Sequence, residues 1–278
     1  MPMLHDDTHP RFWRDARLPF IEARSVRDGR QVCYAAHAHA CFSIGAITAG
    51  GCHYRNGDVR MRIGAGSLVL MNPQAVHACN PIAGQPWAYL MLYVDAAWLG
   101  ERQRALGLCE DGAFQPLAAS HLDDPALYDA LSQLHARLLD AQVAAQAKAA
   151  TAEAFFTRLL LTQATCPAIE RPGQCERAAA LIATQGASAL SLDTLCTAAG
   201  LSPSQLIRDF RRHYGLTPHA YLVNRRIQHG QHLLRQGLSL ADAALSAGFA
   251  DQAHFQRAFK KHLAATPGQY RAAQSINR

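Results

Sequence analysis

The sequence predicts a two-domain α+β protein: a strand-rich N-terminal barrel followed by a pair of helices, then an all-α C-terminal domain built on a tandem helix-turn-helix. Three observations carry that reading. Residues 32–94 alternate short apolar runs with Gly, Pro and Asn, residues 123–164 switch to helical spacing, and between residues 174 and 271 one two-helix pattern occurs twice. The expected boundaries are 1–120 for the barrel, 121–166 for the helical segment, 167–173 for a linker and 174–278 for the tandem domain.

A chain of 278 residues with 49% hydrophobic content is long enough for two cores. Its charge is divided unevenly. Residues 171–278 carry 13 Lys plus Arg against 5 Asp plus Glu, whereas residues 1–170 carry 14 against 16. The basic C-terminal third suits a polyanionic partner, although a basic face also serves solubility alone. No run of about 18 apolar residues and no signal-peptide pattern occurs, so a cytoplasmic protein with no membrane partner is expected. The eight cysteines, at 33, 41, 52, 79, 109, 166, 175 and 196, form no Cys-x-x-Cys pair, and reduced, mostly buried thiols are expected rather than a disulfide framework.

In the first domain the stretch from Cys52 to Ile63 reads as a hairpin. Asn56 and Gly57 both tolerate positive φ, which places a two-residue turn there and pairs Arg55 with Asp58, Tyr54 with Val59 and Cys52 with Met61. Phe42 to Thr48, Ser67 to Met71 and Tyr89 to Val94 are short apolar runs bounded by turn residues, as buried strands are.

Alternate residues of a strand share a face, so His37 projects with His39, and His77 with Cys79. These residues resemble the two histidine motifs of the cupin barrel, in which two histidines, a glutamate and a later histidine hold a metal. Here Ser43 stands at the glutamate position. With Cys79 substituting, His37, His39, His77 and Cys79 would make a three-nitrogen, one-sulfur set suited to zinc. The alternative is that no cofactor is required and the histidines line a pocket for an organic effector. Among the aromatic residues Trp13, Phe42, Tyr54, Trp87, Tyr89 and Tyr93, the expected pocket combines Phe42, Tyr54, Trp87 and Tyr89 with His37, His39 and His77.

Asp123, Asp124 and Pro125 begin a helix, with acid at the positive end of its dipole. Leu127, Leu131, Leu134 and Leu138 follow at heptad spacing, and a second run from Gln146 to Ala164 places Phe155, Phe156, Leu159 and Leu160 along one side. Two placements remain open for this leucine stripe: against the barrel, or against a second subunit. The prolines and glycine between Cys166 and Gly173 end the run and mark the linker.

In the tandem domain Ser191 and Ser202 cap successive helices, with Gly200 between them and Pro203 in the first turn of the second. Leu192, Leu195, Ala198 and Ala199 face inward on the first of these helices, Leu206 and Phe210 on the second. A long helix starts at Thr217 and runs to about Gln236; Ser239, Gly248 and Asp251 then repeat the caps and turn. In this motif the second helix enters the major groove. The residues expected at base edges are therefore Ser204, Ile207 and Arg208 in the first copy and Gln252, Ala253, Gln256 and Arg257 in the second, with Arg211, Arg212, Lys260 and Lys261 on phosphates of double-stranded DNA.

The run from Leu240 to Arg271, with Gly-Phe-x-Asp, Phe-x-Arg-x-Phe-Lys-Lys and Thr-Pro-x-x-Tyr-Arg, resembles the C-terminal signature of the AraC/XylS family of bacterial transcription regulators. His-x-His, Phe-Ser-Ile-Gly, His-Ala-Cys-Asn-Pro and Trp-x-Tyr resemble the cupin-like effector domain of the same family. The resemblance implies a regulator rather than an enzyme: an activator with a small-molecule effector in the barrel, helices that pair a homodimer, and RNA polymerase as a partner. Two other readings stay open: a metal- or redox-sensing regulator using His37, His39, His77 and Cys79, and a cupin-type metalloenzyme fused to a DNA-binding domain. Two positions depart from the family pattern. Ala264 stands where glycine is usual, which strains it by about 1–2 kcal/mol if positive φ is required; Ala253 replaces a common serine.

Overall fold

The computed structural model describes residues 10–166 and 173–272. The expected linker lies outside the described residues apart from its last position, Gly173, which already begins a helix. In chain order β1 (Arg11–Trp13), β2 (Ile21–Val26), β3 (Phe42–Asn56), β4 (Val59–Gly64), β5 (Leu68–Met71), β6 (His77–Pro81) and β7 (Trp87–Val94) precede α1 (Ala96–Ala105), β8 (His121–Leu122), α2 (Pro125–Leu139) and α3 (Ala145–Thr162). The strands run in the order β1-β2-β7-β3-β5-β8, with β4 and β6 on the far half of β3, and every pairing is antiparallel.

One strand therefore joins two sheets. The first half of β3 pairs with β5 and β7, the second half with β4 and β6. Between the halves lie a bulge at Ile47/Ala49 and Gly50 at φ +65°, where a Cβ would sit 1.9 Å from the Pro86 carbonyl oxygen. Only glycine fits there, so the strand folds over and wraps the two sheets around a common interior.

The β3–β4 hairpin has a different register from the one expected. Asn56 pairs with Val59, Tyr54 with Met61 and Cys52 with Ile63, so the loop is Gly57-Asp58. Gly57 takes φ +56° at the first loop position, as a Gly-x turn requires, while Asp58 keeps an ordinary backbone. Each partner moves by two residues, which leaves every side chain on its expected face.

Strands β5 and β7 are apolar throughout because both their faces are buried. Tyr89 and Met91 point into the barrel with Val69 and Met71, while Leu90, Leu92 and Val94 join Leu68 and Leu70 on the outer face. That outer face is covered by α2 and α3. Leu127, Leu131, Leu134 and Leu138 are completely buried there beside Phe155, Phe156, Leu159 and Leu160, so the leucine stripe serves the core of its own chain and not a subunit seam. Asp124 caps α2 by accepting from the amides of Ala126 and Leu127.

The C-terminal domain comprises α4 (Gly173–Gln185), α5 (Leu192–Ala199), α6 (Pro203–Tyr214), α7 (Pro218–Arg235), α8 (Leu240–Ser246), α9 (Gln252–Leu263) and α10 (Pro267–Ala272). Its cap residues are the expected ones: Ser191, Ser202, Thr217, Ser239 and Asp251 each accept a backbone amide three residues on. Ser202 and Gln205 complete a reciprocal capping box. Of the four residues expected inward on α5, Leu195 and Ala199 are buried, whereas Leu192, in the first turn beyond the cap, is 38% exposed. The domain has two cores. Leu206, Phe210 and Leu222 belong to one, and Ile227, Leu234, Phe255, Phe259 and Tyr270 to the other, so α7 is shared by both.

The barrel and the tandem domain pack against each other. Phe12 of β1 lies inside the second helical core, 5.3 Å edge-on to Tyr270, whose ring also carries the Arg14 guanidinium at 3.9 Å. Arg14 donates to Glu22 at 2.6 Å and to the Tyr270 carbonyl at 2.9 Å. A second contact joins Ala38, Val76 and Leu216.

Candidate nucleic-acid interface and effector cavity

Helices α6 and α9 occupy the recognition position of their motifs. Helix α6 buries Leu206 with Phe210, and α9 buries Phe255 and Phe259 with His262 and Leu263 in its last turn, and this fixes which residues turn outward. Ser204, Arg208, Arg211 and Arg212 on α6 are exposed, as are Gln252, Ala253, Arg257, Lys260 and Lys261 on α9; Ile207 and Gln256 are half-buried at the edges of those faces. The expected base-contact and phosphate-contact sets thus lie on two continuous surfaces. Arg208 pairs with Asp209 at 3.4 Å in the open, a contact weak enough to yield to a nucleic acid. With 18 residues at about 1.5 Å each, α7 spans about 27 Å, near the roughly 34 Å repeat of successive major-groove faces.

The barrel encloses a cavity of about 40 Å³ lined by Tyr34, His37, His39, Met71, His77, Cys79, Trp87, Tyr89, Met91 and Tyr93 among others. Five of the seven residues expected around an effector are there. Phe42 and Tyr54 are not. Phe42 faces the helices on the outer side of the sheet, beside Phe114, because strand alternation separates it from Ser43. Tyr54 packs further along the barrel, its hydroxyl donating to the Ser120 carbonyl at 2.7 Å. Tyr34 and Tyr93 take their places, and Tyr34 shares a short hydrogen bond with Tyr89. The spacing of Trp87, Tyr89 and Tyr93 at even intervals already puts them on one face. No comparable signal marks Tyr34.

Arg24, in the middle of β2, stands behind this wall. It is 2% exposed, its guanidinium lies 5.5 Å from the Tyr34 ring, 5.9 Å from Tyr89 and 5.2 Å from Phe12, and its Nε and Nη2 have no hydrogen-bond partner among the described residues. Buried cations of this kind ordinarily have an anion beside them.

Three histidines converge at one end of the cavity. The ring centroids of His37, His39 and His77 lie 4.6–4.9 Å apart, and ligand nitrogens of all three fall within 4.8 Å of one another. His37 and His77 face each other through a backbone bridge, His37 N–H to His77 O at 3.1 Å and the reverse at 2.9 Å. Nδ1 of His37 lies 2.8 Å from the Ala35 carbonyl, and Nδ1 of His77 lies 2.9 Å from that of Ala75. Carbonyls only accept, so both Nδ1 atoms carry the proton and both Nε2 atoms present a lone pair. Burial, then the neighbouring imidazoles, hold His37 and His39 well below the usual histidine range, and burial brings His77 down to about 4. Cys79 lines the same cavity but stands outside this group: its thiol is engaged with Cys52, which together with burial holds it well above the usual thiol range. The expected three-nitrogen, one-sulfur set is thereby corrected to three nitrogens. Ser43, at the cupin glutamate position, is completely buried and offers no carboxylate.

The AraC-like ligand binding domain family matches residues 20–160, and the helix-turn-helix domain family matches residues 195–273. The transcriptional regulator YbfI of Bacillus subtilis is 28% identical over 231 residues, 78% of this chain and 80% of its own length. The regulator MtrA of Neisseria gonorrhoeae is 42% identical over 82 residues; the match spans 29% of this chain and only 27% of that protein. The unsaturated-fatty-acid-bound structure of ToxT from Vibrio cholerae aligns over 91% of this chain and 94% of its own, with a TM-score of 0.54 and 13% identity, a likeness of fold. No helix among the described residues is long and apolar enough to cross a membrane. With an effector-domain match covering half the chain and a helix-turn-helix match covering both recognition helices, the chain belongs to the AraC family of transcription regulators.

Proposed function

We propose that the protein activates transcription by reading a bipartite DNA site with α6 and α9, under the control of a small anionic molecule bound in the barrel cavity. The observation that carries the DNA half is α7, which gives Leu222 to one helical core and Ile227 with Leu234 to the other. A single rigid helix then holds both recognition helices, and the differing outward residues, Ile207 and Arg208 against Gln252, Gln256 and Arg257, read different bases in successive major grooves.

The effector half rests on Arg24 and the cavity. ToxT holds an unsaturated fatty acid; here an acid is the class that suits the buried Arg24 guanidinium, which is hydrogen-bonded to tyrosine hydroxyls but keeps two nitrogens without a partner among the described residues, and a cavity of about 40 Å³ takes one of only a few heavy atoms without moving its wall. Because Arg24 also stands 5.2 Å from Phe12, which is embedded in the helical core, an anion that draws Arg24 inward alters the contact between domains. Activation brings RNA polymerase into contact with the bound protein, as the family resemblance implies. Homodimer formation falls to the outward faces of α2 and α3, where Leu139 and Leu161 are 41% and 60% exposed, since the leucine stripe is buried.

Selection of duplexes from a random pool by the full chain tests this reading. Enrichment of two unlike sequence elements about one helical turn apart is expected. Recovery of a single element, or of two identical ones, would contradict it.

A further inference from the structure

We propose that His37, His39 and His77 bind one divalent transition-metal ion, and that its presence is transmitted to the DNA-binding domain through Ala38 and His262. This goes beyond the effector reading and does not depend on it.

The donor set is the first argument. Three imidazoles from two chain segments bring their ligand nitrogens within 4.8 Å of one another. A tetrahedral ion with Zn–N bonds of about 2.0–2.1 Å needs nitrogens about 3.3 Å apart, a difference closed by ring rotation together with a shift of the backbone at residues 37–39. The tautomers are already set: Nδ1 of His37 and of His77 donates to a carbonyl two residues earlier, the outer hydrogen bond that metal-bound histidines commonly make. An all-imidazole set without a carboxylate suits zinc, cobalt, nickel or copper better than magnesium or calcium. The adjoining cavity, about 40 Å³, holds the water or small anion that completes the coordination of three protein ligands.

The second argument is what grips these residues from the other domain. Ala38, between two of the histidines, is held by α7 on both of its polar groups: its N–H donates to Asn224 Oδ1 at 3.2 Å, and its carbonyl accepts from Asn224 Nδ2 at 3.2 Å and Gln228 Nε2 at 2.7 Å. Ala35 N–H donates to the Lys261 carbonyl at the end of α9 at 3.0 Å. His262, next along α9, is buried with its ring centre 6.4 Å from that of His37, and its Nδ1 lies 2.7 Å from the Ala258 carbonyl, which turns an Nε2 lone pair outward as in the barrel histidines. Drawing His37 and His39 onto an ion therefore moves the strip of backbone that two helices of the DNA-binding domain hold.

The test uses the full chain, purified without an affinity tag and stripped with chelator, titrated with Co(II) alone and then with Zn(II). One Co(II) per chain with the visible absorption of a tetrahedral nitrogen site is expected, displaced by Zn(II). His39→Ala and His77→Asn, each checked for native circular dichroism and thermal unfolding, should weaken binding by more than about 100-fold, beyond the 10–100-fold that loss of an outer partner brings. His262→Ala should bind cobalt within a few-fold of wild type. In wild type, zinc should change affinity for the selected duplex by about fivefold or more, and in His262→Ala or Asn224→Ala that change should shrink to near unity. Absence of stoichiometric cobalt binding, or binding indifferent to His39→Ala and His77→Asn in folded protein, overturns the site. Tight binding with no change in DNA affinity overturns the coupling. Because the stripped protein still binds DNA if only this proposal fails, its failure is distinguishable from failure of the regulatory reading.

Discussion

Asn224 of α7 and Ala38 of the barrel exchange two hydrogen bonds of 3.2 Å across the domain boundary, a side-chain amide closing on both polar groups of one residue 186 positions earlier. Asn224 is 2% exposed. Replacing it by Leu keeps the volume and leaves the Ala38 N–H buried without its partner, which costs about 1–3 kcal/mol. We expect Asn224→Leu to loosen the domain contact without unfolding either domain, so that urea unfolding splits into two transitions where the wild type shows closer coincidence. A uniform loss of both domains together would contradict this role.

The stripe Leu127, Leu131, Leu134 and Leu138 gives a second test. Leu131→Ala should cost roughly 2–5 kcal/mol, as truncations in filled cores do, while leaving the sedimentation coefficient of the folded protein unchanged. A variant of full stability that alters only the association state would return the stripe to an interface.

Ala264 closes α9 at φ 50°, ψ 25°, the left-handed region where its Cβ is strained. Ala264→Gly should stabilise the C-terminal domain by about 1 kcal/mol. An unfolding midpoint that falls instead would mean that the methyl group, which packs near the barrel interior residues, contributes more than its strain removes.

His135 on α2 is buried with Nε2 3.2 Å from the Arg24 carbonyl, and burial lowers it from the usual 6.5 despite that contact. Well above pH 6.5 the imidazole is neutral in both folded and unfolded chains. Below it the unfolded chain takes up a proton that the fold resists, so stability falls as pH drops, by up to about 1.4 kcal/mol per pH unit for this one group. His135→Gln should therefore lose less stability than wild type between pH 7 and 5 in paired urea titrations. Parallel losses in the two proteins would remove His135 from the acid response.

What the sequence made legible follows the range over which each decision is taken. Ser191, Ser202, Thr217, Ser239 and Asp251 act on amides three residues away, so the helix starts of the tandem domain could be read locally, and Leu206, Phe210, Phe255 and Phe259 then fixed the outward faces. Local turn chemistry points to Asn56-Gly57 because both residues can take positive φ, and the one-residue shift to Gly57-Asp58 is settled by pairing along β3, which also carries β6. The side on which Phe42 lies is not legible, because a strand buried on both faces shows no polar alternation to say which face is the interior. Cys79 shares the cavity with His77 but is taken by Cys52, a neighbour brought by strand pairing. The contacts of Arg24, Asn224 and His262 join segments far apart in the chain, and nothing in their local sequence marks them.

The most direct measurement is the affinity of the full chain for the selected duplex and for single-base variants of it, at one fixed salt concentration, with Arg208→Ala and Arg257→Ala beside wild type. A bidentate arginine–guanine contact contributes about 1–3 kcal/mol of discrimination. Each variant should therefore lose its preference at one base position, with Arg208→Ala and Arg257→Ala affecting different halves of the site. If both variants weaken every duplex by the same factor, α6 and α9 grip phosphates rather than read bases, and the composite reader built on α7 is wrong.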